Sequence, residues 1–292
     1  MPLSNFVTVP RELAAACRAA PERRAWLERL QDAVHDVRER WSLTLGQPFE
    51  GEGVSCAWVA PATRSDGTPA VLKLGMPHME GEHELEGLIY WSGNPTVRLL
   101  EGDPKLNAML LERCEPGTAL RTRPEAEQDV VIAGLLRRLW RPPPARHPFR
   151  PLAVMTADWS DRTRSRAVRM ADAGLVRTGL NLFDELPRTA AANVPLATDL
   201  HAGNVLRAQR EPWLVIDPKP FFGDPAYDAT QHLLNCEARL RADPLGTIRR
   251  FSDLLGVDGD RVRLWTFARA AAEWCDPWER DDGMELARLL AP

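Results

Sequence analysis

The 292-residue sequence contains no run approaching the roughly 18 apolar residues of a membrane-spanning helix, and its opening, MPLSNFVTVPRELAAACRAAPERR, is too charged for a secretory leader. It has no excess of positive charge: 37 Lys and Arg stand against 41 Asp and Glu, a net charge of −4. That gives no reason to expect nucleic acid or an anionic membrane as partner. The five cysteines (Cys17, Cys56, Cys114, Cys236, Cys275) include no Cys-x-x-Cys pair, and no Cys/His group has zinc-finger spacing. Reduced structural thiols in a soluble, cytoplasmic protein are the expectation. No internal repeat is visible. With 44% apolar and 27% charged residues the chain is not disordered by composition, and its length suits one large domain or two modest lobes.

Residues 10 to 40 read as helix in two pieces, interrupted near Pro21, with Trp26, Leu27, Leu30 and Val34 along one face of the second. The period then changes. Leu43 and Leu45 alternate with polar residues, CAWVA (56–60) and AVLKL (70–74) are short and apolar, and Asp66-Gly67 between them is a hairpin signal. A helix is expected over 78–92, then strands at VRLL (97–100) and AMLLE (108–112). Beyond Glu112 helical periodicity dominates, over 124–140 and 159–186, with the proline-rich connector Pro142 to Pro151 between. The pattern predicts an α+β chain of two lobes: residues 1–112 sheet-rich with a helical extension over 1–40, residues 113–292 mostly helical, and a cleft between them.

The chemistry concentrates in VPLATDLHAGNVLRAQREPWLVIDPKP. Asp199-x-x-x-x-Asn204 puts a carboxylate and a carboxamide on one short loop, and the apolar WLVI can present Asp217 at the end of a buried strand. Phosphoryl transfer needs such parts: a carboxylate to take the proton of an attacking hydroxyl, oxygen ligands for Mg²⁺, and a cation for the phosphates. Taken singly, each aspartate is better explained as a structural turn residue than as a catalytic one.

Through TDLHAGNVL (198–206), IDPKPFFGDPAYD (216–228) and TQHLLN (230–235), the sequence resembles the aminoglycoside phosphotransferase branch of the protein-kinase-like fold. The likeness is nearest to the streptomycin and hydroxyurea phosphotransferase group and covers most of residues 40 to 275. The resemblance implies a bilobal kinase-like fold and an ATP- and Mg²⁺-dependent transfer to a hydroxyl of a small molecule. That acceptor would be an aminoglycoside such as streptomycin, or hydroxyurea, as in antibiotic resistance. Asp199 then matches the catalytic aspartate, and Asn204 and Asp217 match the magnesium ligands. Lys73 matches the lysine on the α- and β-phosphates, and the family's His-Glu pair falls on His83-Glu84. A helical projection also sets Glu84 at the edge of an inward stripe of Leu85, Leu88, Ile89 and Trp91. Gly51 and Gly53 fall where a phosphate-covering loop belongs, and the backbone from Glu112 to Cys114 falls at the adenine-binding hinge.

The chain departs from the family pattern at Ala197-Thr198, where many relatives have His-Gly. Asp217-Pro218-Lys219 lacks the glycine of protein kinases, and Cys56 breaks the G-x-G-x-x-G pattern. Asp228 is expected to cap a helix and support the catalytic loop, His201 to stabilise that loop, and Lys219 to assist phosphate neutralisation. For the acceptor, the carboxylates of Glu273, Asp276, Glu279, Asp281 and Asp282 with Trp274 and Trp278 are candidates, as are Asp158 and Trp159 between two helices. The competing reading is a catalytically silent kinase-fold protein that binds a nucleotide or other ligand. A protein kinase is not expected, since nothing resembles an activation segment with an Ala-Pro-Glu end.

Overall fold

The computed structural model describes residues 7–18, 20–50, 56–166, 172–272 and 280–292. The chain divides into two compact units, residues 1–117 with 207–214, and residues 118–206 with 215–292.

The first unit opens with α1 (Arg11–Cys17) and α2 (Pro21–Arg40). Pro21 occupies the first position of α2, where its missing N–H leaves no bond unmade. Trp26, Leu30, Val34 and Val37 recur at helical spacing on the buried face. With Leu13 and Cys17 they pack on Trp58, Ala60, Leu72, Leu74 and Leu110 of the sheet and on Met76 just after β3. The remaining elements of this run are β1 (Thr44–Leu45), β2 (Ala57–Thr63), β3 (Pro69–Gly75), α3 (Glu84–Trp91), β4 (Leu99–Asp103) and β5 (Ala108–Glu112). The five strands form one antiparallel sheet in the order β1-β2-β3-β5-β4. The β2–β3 turn uses Gly67 at φ +84° and an Asp66 carboxylate that accepts from Thr68 N–H at 2.8 Å. In the central strand β3, Lys73 stands between Val59 and Met109.

Two expectations need correction here. The helix expected over 78–92 is a 3₁₀ turn at Met79–Gly81 followed by the shorter α3, and Ile89 is 59% exposed rather than inward. The buried stripe of α3 is rotated toward Glu84 and Gly87, which carries Ile89 about 100° away from Leu88 and into solvent. The strand expected at 97–100 begins two residues later, with a register shift between Leu99 and Glu101.

The second run of elements comprises α4 (Glu125–Leu139), α5 (Leu152–Arg166), α6 (Ala173–Glu185), β6 (Val194–Leu196), β7 (Val205–Arg207), β8 (Trp213–Val215) and β9 (Phe221–Gly223). It closes with α7 (Pro225–Asn235), α8 (Glu237–Ala242), α9 (Pro244–Leu255), α10 (Gly259–Ala272) and α11 (Arg280–Leu290). Helix 159–186 of the sequence reading is two helices, since Asp172 starts α6 afresh by accepting from Leu175 N–H at 3.3 Å. Strands β6 and β9 pair antiparallel and hold the two ends of the chemically interesting stretch together. Helix α10 packs against α6, α7, α9 and α11. It buries Val262, Trp265, Phe267, Ala268 and Ala271, of which the Phe267 side chain alone is worth about 1.5–3 kcal/mol of burial.

Helix α4 is tied to α7 and α8 through Asp129, whose carboxylate meets His232 Nε2 at 2.7 Å and accepts from Arg239 at 2.6 and 2.8 Å. Burial alone would raise the Asp129 pKa, but the bonds from His232 and Arg239 outweigh it and hold the value at about 2. The unfolded value is about 3.9. The stabilisation is therefore present above pH ~4 and lost as pH falls toward 2. Acid unfolding followed by circular dichroism should begin on that limb in wild type and be flatter there in Asp129→Asn; identical limbs would refute the assignment.

Among the described residues no helix is long and apolar enough to cross a membrane. Cys17, Cys56, Cys114 and Cys236 form no disulfide, and Cys275 lies outside the described residues.

Candidate active site

The site-forming loop of the second unit leaves β6 at Leu196 and re-enters regular structure through a 3₁₀ turn, Ala202–Asn204, before β7. Its conformation is unusual at Thr198, a β-branched residue with φ +47°. Such a backbone costs on the order of 1–2 kcal/mol for a residue other than glycine. Three bonds hold it. The Thr198 hydroxyl donates to the Lys219 carbonyl at 2.6 Å, its N–H donates to Asp228 Oδ1 at 2.8 Å, and Lys219 N–H donates to the Ala197 carbonyl at 3.0 Å.

Asp228 is the support beneath this loop. It is 1% exposed and accepts from Ala197 N–H at 3.0 Å, Thr198 N–H at 2.8 Å and the Trp140 indole N–H at 2.9 Å. Burial dominates its titration and raises the pKa to about 6, although those three bonds and nearby Arg269 pull the other way. The helix cap expected of Asp228 belongs instead to Asp224, which accepts from Ala226 N–H at 3.0 Å. Asp228 stands a full turn inside α7, where its own N–H is no longer an orphan to be capped.

Asp199 projects from the loop with both carboxylate oxygens engaged. Oδ2 is paired with the Lys219 ammonium, and Oδ1 accepts from Gln231 Nε2 at 2.7 Å. The Gln231 Oε1 in turn accepts from Arg269 Nη2 at 2.7 Å. Arg269 also donates to Thr230 Oγ1 at 2.7 Å and lies over the rings of Trp159 and Tyr227 at 5.7 and 5.3 Å. His201 Nδ1 accepts from Gly203 N–H at 3.1 Å, which shapes the turn, and burial holds its pKa below the ordinary range.

Asn204 joins the parts. Its Nδ2 donates to the Asp199 carbonyl at 3.0 Å, and its own carbonyl accepts from Ile216 N–H at 2.9 Å, next to Asp217. With the amide nitrogen committed, the Asn204 side-chain oxygen is the end left for a cation. Asp217 has φ +51°, a conformation that aspartate tolerates better than most residues. Among the described residues no three His, Cys, Asp or Glu side chains gather as a metal cluster. One carboxylate and one carboxamide oxygen are nevertheless a donor set that fits Mg²⁺, which is held largely by phosphates and water.

In the first unit the structure brings Lys73 and Glu84 together: Nζ lies 2.6 Å from both carboxylate oxygens, and both residues are buried. The Glu112 side chain is used structurally. It accepts from Arg210 Nε and Nη2 at 3.0 and 2.9 Å and from Arg98 N–H at 3.0 Å, while its own N–H donates to the Arg98 carbonyl. Burial would raise its pKa, but Arg210 and the Arg98 N–H outweigh that and lower it. Burial and the Glu112 charge push the Cys114 thiol up to about 11, so it is no nucleophile. Gly51 and Gly53 lie outside the described residues, as do Glu273, Trp274, Asp276, Trp278 and Glu279 and the side chains of Asp281 and Asp282. Asp158 and Trp159, expected between helices, are inside α5. Asp158 pairs with Arg162 at 2.8 Å, and Trp159 is buried against Phe183 and Tyr227.

Gln231, Arg269 and Trp140 were not among the sequence-derived candidates. The one compositional signal points elsewhere, to Lys73 and Lys219. Only three of the 37 basic residues are lysine (Lys73, Lys105 and Lys219), and two of these stand on carboxylates named above.

Residues 40–283 match the family of aminoglycoside/hydroxyurea antibiotic resistance kinases. The chain is 36% identical to the streptomycin 6-kinase of Streptomyces glaucescens over 97% of this chain and 94% of that protein. It is 37% identical to the hydroxyurea phosphotransferase of Kitasatospora aureofaciens over 89% of this chain and 76% of that protein. In fold it is similar to the choline kinase LicA from Streptococcus pneumoniae, with a TM-score of 0.61 at 13% identity, covering 88% of this chain and 96% of the other.

Proposed function

The chain belongs to the aminoglycoside/hydroxyurea antibiotic resistance kinase family, a family of small-molecule phosphotransferases, and from that premise we propose that it transfers the γ-phosphoryl group of ATP to a hydroxyl of streptomycin, another aminoglycoside, or hydroxyurea. The observation that carries the reading is the hydrogen-bonded unit around Asn204, which binds the Asp199 carbonyl and the strand leading to Asp217 into one piece.

In this reading Asp199 orients the acceptor hydroxyl and takes its proton as the O–P bond forms. Asn204 and Asp217 hold Mg²⁺, which when bound neutralises phosphate charge. Lys73, fixed by Glu84, engages the α- and β-phosphates as a point charge. The backbone from Glu112 to Cys114, at the end of β5, receives the adenine edge. Lys219 holds Asp199 in place and lies where it adds positive charge for the transferred group. Positioning and charge neutralisation supply most of the rate in such chemistry. A silent binding protein would not need this set of parts.

The test is ATP consumption with Mg²⁺, screened against streptomycin, other aminoglycosides, hydroxyurea and hydroxylated metabolites. One acceptor should give turnover, and Asp199→Ala should lower it on the order of a hundredfold or more. No acceptor-dependent turnover in wild type, or equal rates in both proteins, would sink the proposal.

A further inference from the structure

The Asp199 side chain projects from a loop, and a loop carboxylate turns freely about its side-chain bonds unless something holds it. The two groups that hold it differ in kind. Lys219 comes from the same loop cluster, two residues beyond Asp217, whereas Gln231 comes from α7, whose neighbouring residues Ala229, Thr230, His232 and Leu233 are buried. Gln231 is therefore mounted on a rigid element.

The polarity of the contact is also fixed. A glutamine carboxamide can present either end, and only its partners decide which. Arg269 is 6% exposed and its guanidinium can only donate, so the end of Gln231 facing it must be the carbonyl oxygen. The amide N–H₂ then has to face Asp199. Arg269 is itself held by Thr230 Oγ1 and by the Trp159 and Tyr227 ring faces. The result is a one-way chain of donors from guanidinium to carboxamide to carboxylate, each bond at 2.7 Å or paired at that length to the next.

We propose that Gln231 and Arg269 are positioning residues for Asp199: Arg269 sets the orientation of the Gln231 carboxamide, and Gln231 clamps Asp199 Oδ1, so that the carboxylate keeps a free lone pair aimed at the incoming hydroxyl. This rests on the phosphotransferase reading above. Neither residue touches ATP in that reading, so the chain acts on turnover and leaves nucleotide affinity alone. A misplacement of the base by about 1 Å is worth on the order of a hundredfold in rate.

The experiment measures Mg²⁺-dependent ATP hydrolysis, with water as the acceptor, alongside thermal unfolding. Gln231→Leu should lower kcat about 10- to 100-fold with the KM for ATP within about twofold of wild type. Gln231→Glu is the sharper variant. It keeps an acceptor for Arg269, and so keeps the fold, but turns a like charge toward Asp199; its kcat should fall at least as far with unchanged or raised Tm. Arg269→Met should lower kcat too, and adding it to Gln231→Leu should bring no further loss, because Arg269 acts through Gln231. A second readout needs no catalysis. The Gln231 side-chain amide resonance, identified by its absence from Gln231→Leu, should move on Asp199→Ala and on Arg269→Met.

Wild-type kcat in Gln231→Leu or Gln231→Glu, or an amide resonance indifferent to Asp199→Ala, overturns the positioning role while the phosphotransferase reading stands. Wild-type protein with no Mg²⁺-dependent turnover overturns both.

Discussion

Replacing Asp217 by Ala is expected to reduce phosphoryl transfer on the order of 10³-fold, at saturating ATP and acceptor, in a protein that still folds. The size follows from position. Asp217 ends the run from Trp213 to Ile216, and the Ile216 N–H bond to the Asn204 carbonyl holds that run beside the loop bearing Asp199. In the proposed reading it supplies the sole carboxylate for the cation, since the other ligand, Asn204, is neutral. Asp217→Asn keeps the size and the tolerance for φ +51° and removes only the charge. Alanine additionally strains that backbone by about 1–2 kcal/mol. The two variants together separate charge from conformation: both should lose activity, and only Asp217→Ala should lose appreciable stability. Steady-state kinetics with unfolding curves measure both, and turnover near the wild-type rate in either variant removes Asp217 from the metal site.

The second large effect is structural. Asp228→Ala removes one buried side chain and strands three donors, the N–H groups of Ala197 and Thr198 and the Trp140 indole. Removing one member of a buried charged network costs about 3–5 kcal/mol. The left-handed Thr198 also loses one of the bonds that offset its strain. Chemical denaturation should show the loss, and activity should fall with it, because Asp199 is the next residue. Asp228 also leaves a pH signature. Its folded pKa is about 6, above an unfolded value near 3.9. The native state therefore binds the extra proton between those values, and the contribution of Asp228 to stability, full below pH ~4, declines as pH rises through about 6. That decline should be absent from Asp228→Ala. It runs opposite to the Asp129 effect, which strengthens as pH rises from 2 to 4, so the two can be resolved on one stability profile.

Much of the site was legible because its chemistry is local in the chain. Asp199 and Asn204 are five residues apart on a single loop, and a short apolar run ending in Asp217 reads as a strand returning a carboxylate. Lys73 was singled out by the family resemblance, since a lysine in an apolar strand is by itself explained as an exposed one; the structure places it buried in the central strand. Glu84 was the right edge of a helical stripe even though the stripe itself was placed too far toward Ile89. Periodicity reports that a helix has an apolar face; it reports the rotation of that face only to within one residue, about 100°.

What the amino-acid order indicated by itself was the proposed set of reacting groups, through motifs of residue type and short spacing that carry the family resemblance: Asp199, Asn204, Asp217 and Lys73. Beyond the support expected of Asp228 and Glu84, only the tertiary structure decided what holds them. Lys219 reaches Asp199 across 20 residues, Asp228 reaches Ala197 across 31, Gln231 reaches Asp199 across 32, and Arg269 reaches Gln231 across 38. Such pairings depend on how β6 meets β9 and how α10 packs on α7. No local propensity encodes them: a glutamine on a helix is a surface residue until a buried guanidinium on another helix dictates which way its amide must point.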